Sequence, residues 1–363
     1  MSTLTQASTQ WMNRPSDQRF TSLIELNAHC LEARRTSIAK TLSSRGITAQ
    51  PVDGQRDGLQ VIGPNGGAVN LTHWSFGQLA QRAGAPAGYL RDLPSPIAAD
   101  CINYGLKYHR DVEDLGILLH QNGGPAELRA VTGPNYGRVW NNTITDSLVK
   151  RFGDGVTGHF RVPGEFGKRV DVTKANTTLY ASDRDMFVFL ADEENRIEIP
   201  NRRDGQAGTL ARGFFVWNSE VGSTSFGIAM FLFDYVCCNR IVWGAQGYEE
   251  IRIRHTTSAP DRWIEEVVPA IEAYASSSAV PVRQAIMAAQ AKRLDDIDSF
   301  LKGRFSNTQV SGIKAAHMAD EQRPIETLWD AATAVTAYAR GIQYQDERVK
   351  LEREGGKILK LAA

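Results

Sequence analysis

Apolar residues along this chain change their period several times, and each change predicts an element. Leu23, Leu26, Leu31, Ile38 and Leu42 recur at helical spacing, which predicts a helix over 23–42. Residues 48–71 read as two short strands around Asp53-Gly54 and a Pro64-Asn-Gly-Gly67 turn. From Thr72, a good N-cap residue, the period is helical again. One helix carries Leu79 and Ala80 and breaks at Gly84-Ala-Pro86; a second holds Tyr89, Leu90 and Leu93; a third starts at Pro96 and ends near Leu106. Leu115 to His120 and Glu127 to Val131 form a strand pair around Asn122-Gly-Gly124, and a helix is expected from Asn141 to Phe152. Three further strand regions are expected at 179–190, 210–217 and 241–253, where β-favouring residues alternate or run together. Beyond Ser258 the chain turns Ala-, Glu- and Arg-rich, and Pro269 and Pro281 punctuate a series of helices.

These elements add up to an α+β fold: a mixed, largely antiparallel sheet body followed by a helical C-terminal portion. The expected divisions are a loose N-terminus (1–17), an N-terminal helical and hairpin region (18–110), a β-rich core (111–258) and a helical region (259–363). The three short helices between Thr72 and Leu106 suggest a helix–turn–helix reader of DNA. The central helix, AGYLRDL, offers only Arg91 as a donor to bases or phosphates, so a helical hairpin packed on neighbouring strands is preferred.

Composition narrows the function without naming it. The 363 residues are 42% hydrophobic and 23% charged, and Lys+Arg and Asp+Glu each number 41. With no net charge, any polyanion-binding surface must come from clustering. The four cysteines (30, 101, 237, 238) lack CxxC spacing, which argues against a zinc ribbon or a disulfide framework and for a cytoplasmic protein. The polar N-terminus has no apolar signal core, and the most apolar run, 226–238, is too short for a membrane helix of about 20 residues.

Common catalytic signatures are missing. There is no GxxxxGK[ST], no GxGxxG after a strand, no HExxH and no GxSxG, and no cofactor is implied. Carboxylates cluster at Asp183/Asp185, at Asp192-Glu-Glu194 and at Asp295-Asp296/Asp298. A two-metal nuclease would need such groups around ions about 4 Å apart. The ordinary readings are a solvated turn, a hairpin tip and a helix face, in that order. Cys238 with His255 could form a nucleophile and base, but adjacent cysteines closing an apolar run read better as core.

One stretch has the composition of a nucleic-acid surface. Between Lys150 and Lys174 six basic residues stand against three acidic ones, with Phe152, Phe160 and Phe166 interleaved among glycines. Cations hold phosphates while rings stack on bases, the arrangement of a single-strand groove. The candidate phosphate contacts are Arg151, Arg161, Lys168, Arg169, Arg202, Arg203, Arg252 and Arg254, with Phe160 and Phe166 for stacking. A second feature is Asn218-Ser219-Glu220-Val221-Gly222, read as the capped start of a helix, with Glu220 in its first turn.

Four strings taken in order are similar to one family: Ala130-Val-Thr-Gly-Pro-Asn-Tyr136 with Asn141-Asn142, Trp217-Asn-Ser-Glu-Val-Gly222, Val236-Cys-Cys-Asn239 and Ile251-Arg-Ile-Arg-His255. They resemble the phage/plasmid-like proteins, whose shared region is catalogued as domain of unknown function 932. The likeness spans roughly residues 60 to 340 and brings no catalytic residue with it. It implies a mobile-element context, in which recombination and DNA-protection factors are common. Together these readings lead to the expectation of a cytoplasmic, ATP-independent protein that binds single-stranded nucleic acid, with strand annealing as a role, and forms a homo-oligomer. The alternatives are a metal-dependent nuclease or other hydrolase using Asp183, Asp185 or His255, and a protein-binding inhibitor of host defence.

Overall fold

The structure is a computed structural model that describes residues 14–54, 58–109, 114–121, 123–163, 171–199, 208–234, 240–241, 250–341 and 345–362. Two sheets organise it. The larger has nine strands: β1 (Arg19–Phe20), β8 (Phe160–Arg161), β9 (Leu179–Ala181), β10 (Met186–Asp192), β11 (Ile197–Ile199), β12 (Gly208–Asn218), β13 (Phe226–Asp234), β14 (Arg240–Ile241) and β15 (Glu250–Ile253). Every pairing in it is antiparallel. The smaller sheet runs β2 (Ser37–Ser43), β6 (Asp114–His120), β7 (Glu127–Thr132), β5 (Ala68–Leu71), β4 (Leu59–Ile62) and β3 (Thr48–Pro51). Its single parallel pairing, β5 with β7, makes the whole mixed but largely antiparallel. The fold is α+β, as the periodicity predicts.

Helices cover the sheets selectively. Helix α1 (Leu23–Arg35) starts at Ser22, whose hydroxyl accepts from Glu25 N, while Glu25 accepts from Thr21 N at 2.7 Å. Such a cap contributes about 1 kcal/mol. Helices α2 (His73–Arg82), α3 (Ala87–Asp92) and α4 (Ser95–Tyr108) pack on the small sheet through Leu79, Leu90, Ile102 and Leu106. This is the plain hairpin role preferred above for the helix–turn–helix look. Helix α5 (Asn141–Phe152) lies beside α1, where Thr145 Oγ1 donates to Asn27 Oδ1 at 2.6 Å. Together they bury one face of the large sheet, around Phe214, Val216, Phe226 and Ile228. After β15 the chain is helical: α6 (Ala259–Arg262), one π turn (Trp263–Val267), α7 (Val268–Ser276), α8 (Val280–Ala291), α9 (Ile297–Lys302), α10 (Asn307–Glu321), α11 (Leu328–Arg340) and α12 (Gln345–Lys360). The last five share a core with Ile197, Ile199 and Leu210 of the large sheet.

Several expectations are corrected. The helix expected over 23–42 ends at Arg35; Ile38 and Leu42 belong to β2, whose seven residues pair with β6. Residues 48–71 form three strands rather than two, and 179–190 is split by the turn Ser182–Asp185. β6 and β7 lie past the expected boundary at 110 yet complete the small sheet, because their partners are β2 and β5. The chain therefore starts in the large sheet, leaves it for the small one over residues 37–132, and returns.

Asp192 and Glu193 do not form a solvated tip; both are buried. Asp192 pairs with Arg212 at 2.9 Å, and Arg212 also donates to the carbonyl and hydroxyl of Ser277 at the end of α7. This pair fastens the large sheet to the helical portion.

Candidate functional site

The Asn218–Gly222 segment is not the start of a helix. It is the tight connection from β12 to β13, which are hydrogen-bonded neighbours. Gly222 has φ +80°, a left-handed backbone that side chains rarely adopt. Asn218, Ser219 and Glu220 are each at most 2% exposed. Polar groups sealed that deeply need partners, and helix α2 and the segment from Tyr136 to Asn141 supply them. Trp74 Nε1 and Gln78 Nε2 donate to the Val221 carbonyl at 3.0 and 2.7 Å. Tyr136 OH donates to the Ser219 carbonyl at 2.8 Å, and Arg138 Nε to that of Glu220 at 2.7 Å. Asn218 Nδ2 donates to Val139 O and to Asn141 Oδ1. The loop is thus the joint between the sheets.

Three of the four signature strings meet at this joint. Tyr136 and Asn141 come from the first, the loop is the second, and His255 ends the last. The His255 ring stacks on Tyr136 at 4.8 Å, and its Nδ1 bonds the Gly137 carbonyl at 3.0 Å. Gly137 is obligatory, since a Cβ there would lie 1.7 Å from Thr256 O. Burial pushes the His255 pKa down to about 4, so the ring is neutral at pH 7. Burial also raises the Tyr136 hydroxyl pKa. The remaining string, with Cys237 and Cys238, lies outside the described residues.

The electrostatics of the joint are unbalanced. Glu220 accepts from Asn141 N at 2.9 Å and pairs with Arg129 at 3.3 Å. Arg138 also sits against Glu220, and burial lowers its pKa, with Arg129 and Arg34 lowering it further by repulsion. Arg129 and Arg138 therefore both face Glu220, and Arg34 stands close enough to Arg138 to repel it. The excess is held on rings: Arg34 lies 3.9 Å and Arg138 5.4 Å from the Trp140 ring centre, and Arg138 is 5.3 Å from that of Tyr136. Beside the loop, Arg184 stands 5.5 Å from Trp74. Trp74, Tyr136, Arg34, Arg138, Trp140 and Arg184 are half-buried and line a seam between the sheets. Chemically, the seam offers fixed N–H donors and ring faces to an anion attached to a flat group.

The residues expected from sequence are distributed otherwise. Phe160 is a core residue packed on Phe152 and Phe214, so its ring face is taken. Arg161 is buried and bonds the Gly158 carbonyl and Glu194. Arg151 is exposed and donates to Ser276 Oγ at 3.1 Å. Arg252 and Arg254 are exposed on and just past β15, and Arg252 lies over Trp217 at 5.6 Å. Arg254 directly precedes His255 in the chain. Arg161 pairs with Ala191 at one end of β10, whereas the row through Arg252, Gly227 and Trp217 crosses β10 at Phe187, near its other end. The two therefore sit toward opposite ends of the strands, and Glu194 already holds the Arg161 guanidinium. Phe166, Lys168, Arg169, Arg202 and Arg203 lie outside the described residues.

The carboxylate candidates are accounted for locally. Asp185 is buried in the turn after β9 and pairs with Arg14 at 3.0 Å, with burial raising its pKa. Asp183 is exposed, Asp296 caps α9, and Asp298 pairs with Lys314. Among the described residues, no group of three or more His, Cys, Asp or Glu side chains could hold a metal ion. No helix among them is long and apolar enough to cross a membrane.

An α+β protein built on two sheets, with a cation-rich joint between them, is the class these observations define. The chain belongs to the family described as a domain of unknown function (DUF932), whose model matches residues 166–354. The match covers the large sheet from β9 to β15 and most of the helical portion, and it leaves out the small sheet. No curated protein and no solved structure matches the chain.

Proposed function

We propose that this protein binds single-stranded nucleic acid, with the seam around Trp140 as a principal contact. The observation that carries the reading is the arginine cluster there: Arg129 pairs with Glu220, while Arg34 and Arg138 are held at the Trp140 ring and repel each other. Half-buried excess positive charge is costly without a counter-anion, and phosphate provides one. An unpaired strand also brings bases to the half-buried rings of Trp74 and Trp140. Arg254 and Arg252 extend the cationic track along β15. The protein acts without nucleotide hydrolysis, in the cytoplasm, as a homo-oligomer that serves strand annealing or protection for a phage or plasmid. Guanidiniums and rings, rather than converging carboxylates, favour binding over metal-assisted cleavage.

The test is an anisotropy titration of labelled single-stranded oligonucleotides at two salt concentrations. Binding that weakens with salt and weakens again in Arg34→Ala supports the reading. Absence of binding at low salt ends it.

A further inference from the structure

Helix α4 carries a surface that its own domain does not use. Its inner face, Ala98, Ala99, Ile102 and Leu106, is sealed in the core of the small sheet. Its outer face shows Ile97 (50% exposed), Tyr104 (69%) and Tyr108 (60%), with Cys101 partly exposed between them. The positions 97, 101, 104 and 108 step by four, three and four residues, the spacing of a helix-pairing seam. A hollow of about 630 Å³ flanks the stripe, with the small residues Ala83, Gly84 and Ala85 on one wall and Tyr104, Tyr108 and His109 on the other.

We infer that this face is where two copies of the chain associate, through antiparallel packing of α4 on its counterpart. Charge placement selects this occupant. Asp100 and Lys107 are exposed on the same side of the stripe, one before its centre and one after it. A two-fold axis between positions 102 and 103 brings Asp100 of each copy to Lys107 of the other, so the arrangement forms two opposite-charge contacts. A parallel pair would instead leave Asp100 and Lys107 of the two copies on opposite edges of the seam, with no charge contact between them. The same axis places Cys101 against Tyr104 and Ile97 against Tyr108, a small or branched residue opposite each ring. The hollow beside the helix gives the incoming rings room. Lys107 already lies 5.1 Å from the Tyr108 ring centre, and Tyr104 and Tyr108 are 5.0 Å apart, so the cation and rings are ordered before contact. One helix pair buries less than the roughly 1,200 Å² of a permanent interface, so the dimer is concentration-dependent. The surface deepens the homo-oligomer part of the proposed function and does not depend on nucleic-acid binding.

The experiment is sedimentation equilibrium of the full chain without nucleic acid across the micromolar range, with circular dichroism confirming that each variant is folded. The wild type associates. Asp100→Lys and Lys107→Asp each weaken association by about tenfold or more through paired repulsion. The double variant Asp100→Lys/Lys107→Asp restores it, because the contacts are regenerated with their signs exchanged. A wild type that stays monomeric overturns the inference, as does a double variant no better than the singles. So does a Tyr104→Ala variant that loses oligonucleotide binding while its association is unchanged, which would make the stripe a stacking platform. Failure of oligonucleotide binding alone, with association intact, overturns only the nucleic-acid reading.

Discussion

Asp192 with Arg212 and Glu220 with Arg129 are both carboxylate–arginine pairs sealed inside the protein, and only the second leaves charge over. At Asp192 one acid meets one guanidinium, and Arg212 Nη1 donates to Ser277. The pair is neutral and joins a sheet to a helix end. At Glu220 one acid meets Arg129, Arg138 and the field of Arg34. That site is also a joint, but it is positively charged and opens on Trp140. Burial does not separate the two; the ratio of cations to anions does. A balanced buried pair is explained by architecture, whereas an unbalanced one calls for a ligand.

The contrast can be broken most severely at Asp192. Asp192→Ala strands the Arg212 guanidinium and is expected to lower unfolding free energy by about 3–5 kcal/mol, read from the denaturant midpoint. Oligonucleotide affinity of the folded fraction should not change; a specific loss of binding would mean that the two pairs are not distinct.

Acid acts on the seam side. His255 has a folded pKa near 4, below its value in the unfolded chain. Between pH 6.5 and 4 the unfolded state binds more protons, so stability falls as pH falls, by something on the order of 3 kcal/mol at most. His255→Gln should flatten thermal stability against pH across that window. A wild type with no slope there would show that the buried ring does not control the joint.

Glu220→Gln sharpens the comparison from the other direction. Neutralising the shared acid should tighten oligonucleotide binding by about 1 kcal/mol and steepen its salt dependence, while the fold loses stability. A variant that binds more weakly yet remains folded would contradict the charge argument. The smallest effect on stability is expected from Arg34→Ala: within about 0.5 kcal/mol by denaturation, with a salt slope shallower by about 0.7. Arg161→Ala is the control, since Glu194 already takes up that guanidinium.

Period-based reading recovered elements whose cues are local. Helix α5 and the β6–β7 pair lie almost where alternation and turn residues put them. Ile38 and Leu42 continue a helical register by chance, and the pairing with Leu119 and Leu115 that makes them a strand lies far along the chain. Asn-Ser-Glu after an apolar strand has the chemistry of a cap, but β13 returns at once to pair with β12, leaving no room for a helix. Phe160 and Arg161 had the right residue types for a groove; the packing of Phe152 and the reach of Glu194 are three-dimensional facts. The seam itself was half legible. Its strings were singled out as an ordered set, yet nothing in their order says that Tyr136, Glu220 and His255 touch. Arg34, Trp74 and Trp140 carry no sequence cue beyond their type.

The detour of the chain through residues 37–132 makes the small sheet a cassette set into a larger body. Its hold on that body is concentrated: Trp74, Gln78 and Arg129 from inside the cassette, then Tyr136 and Arg138 just past it, all fasten to the single β12–β13 connection. Because those bonds end on one loop, a change in that loop acts on the whole cassette at once. The socket, from Asn218 to Gly222, lies inside the stretch that the family model matches, whereas the cassette lies outside it.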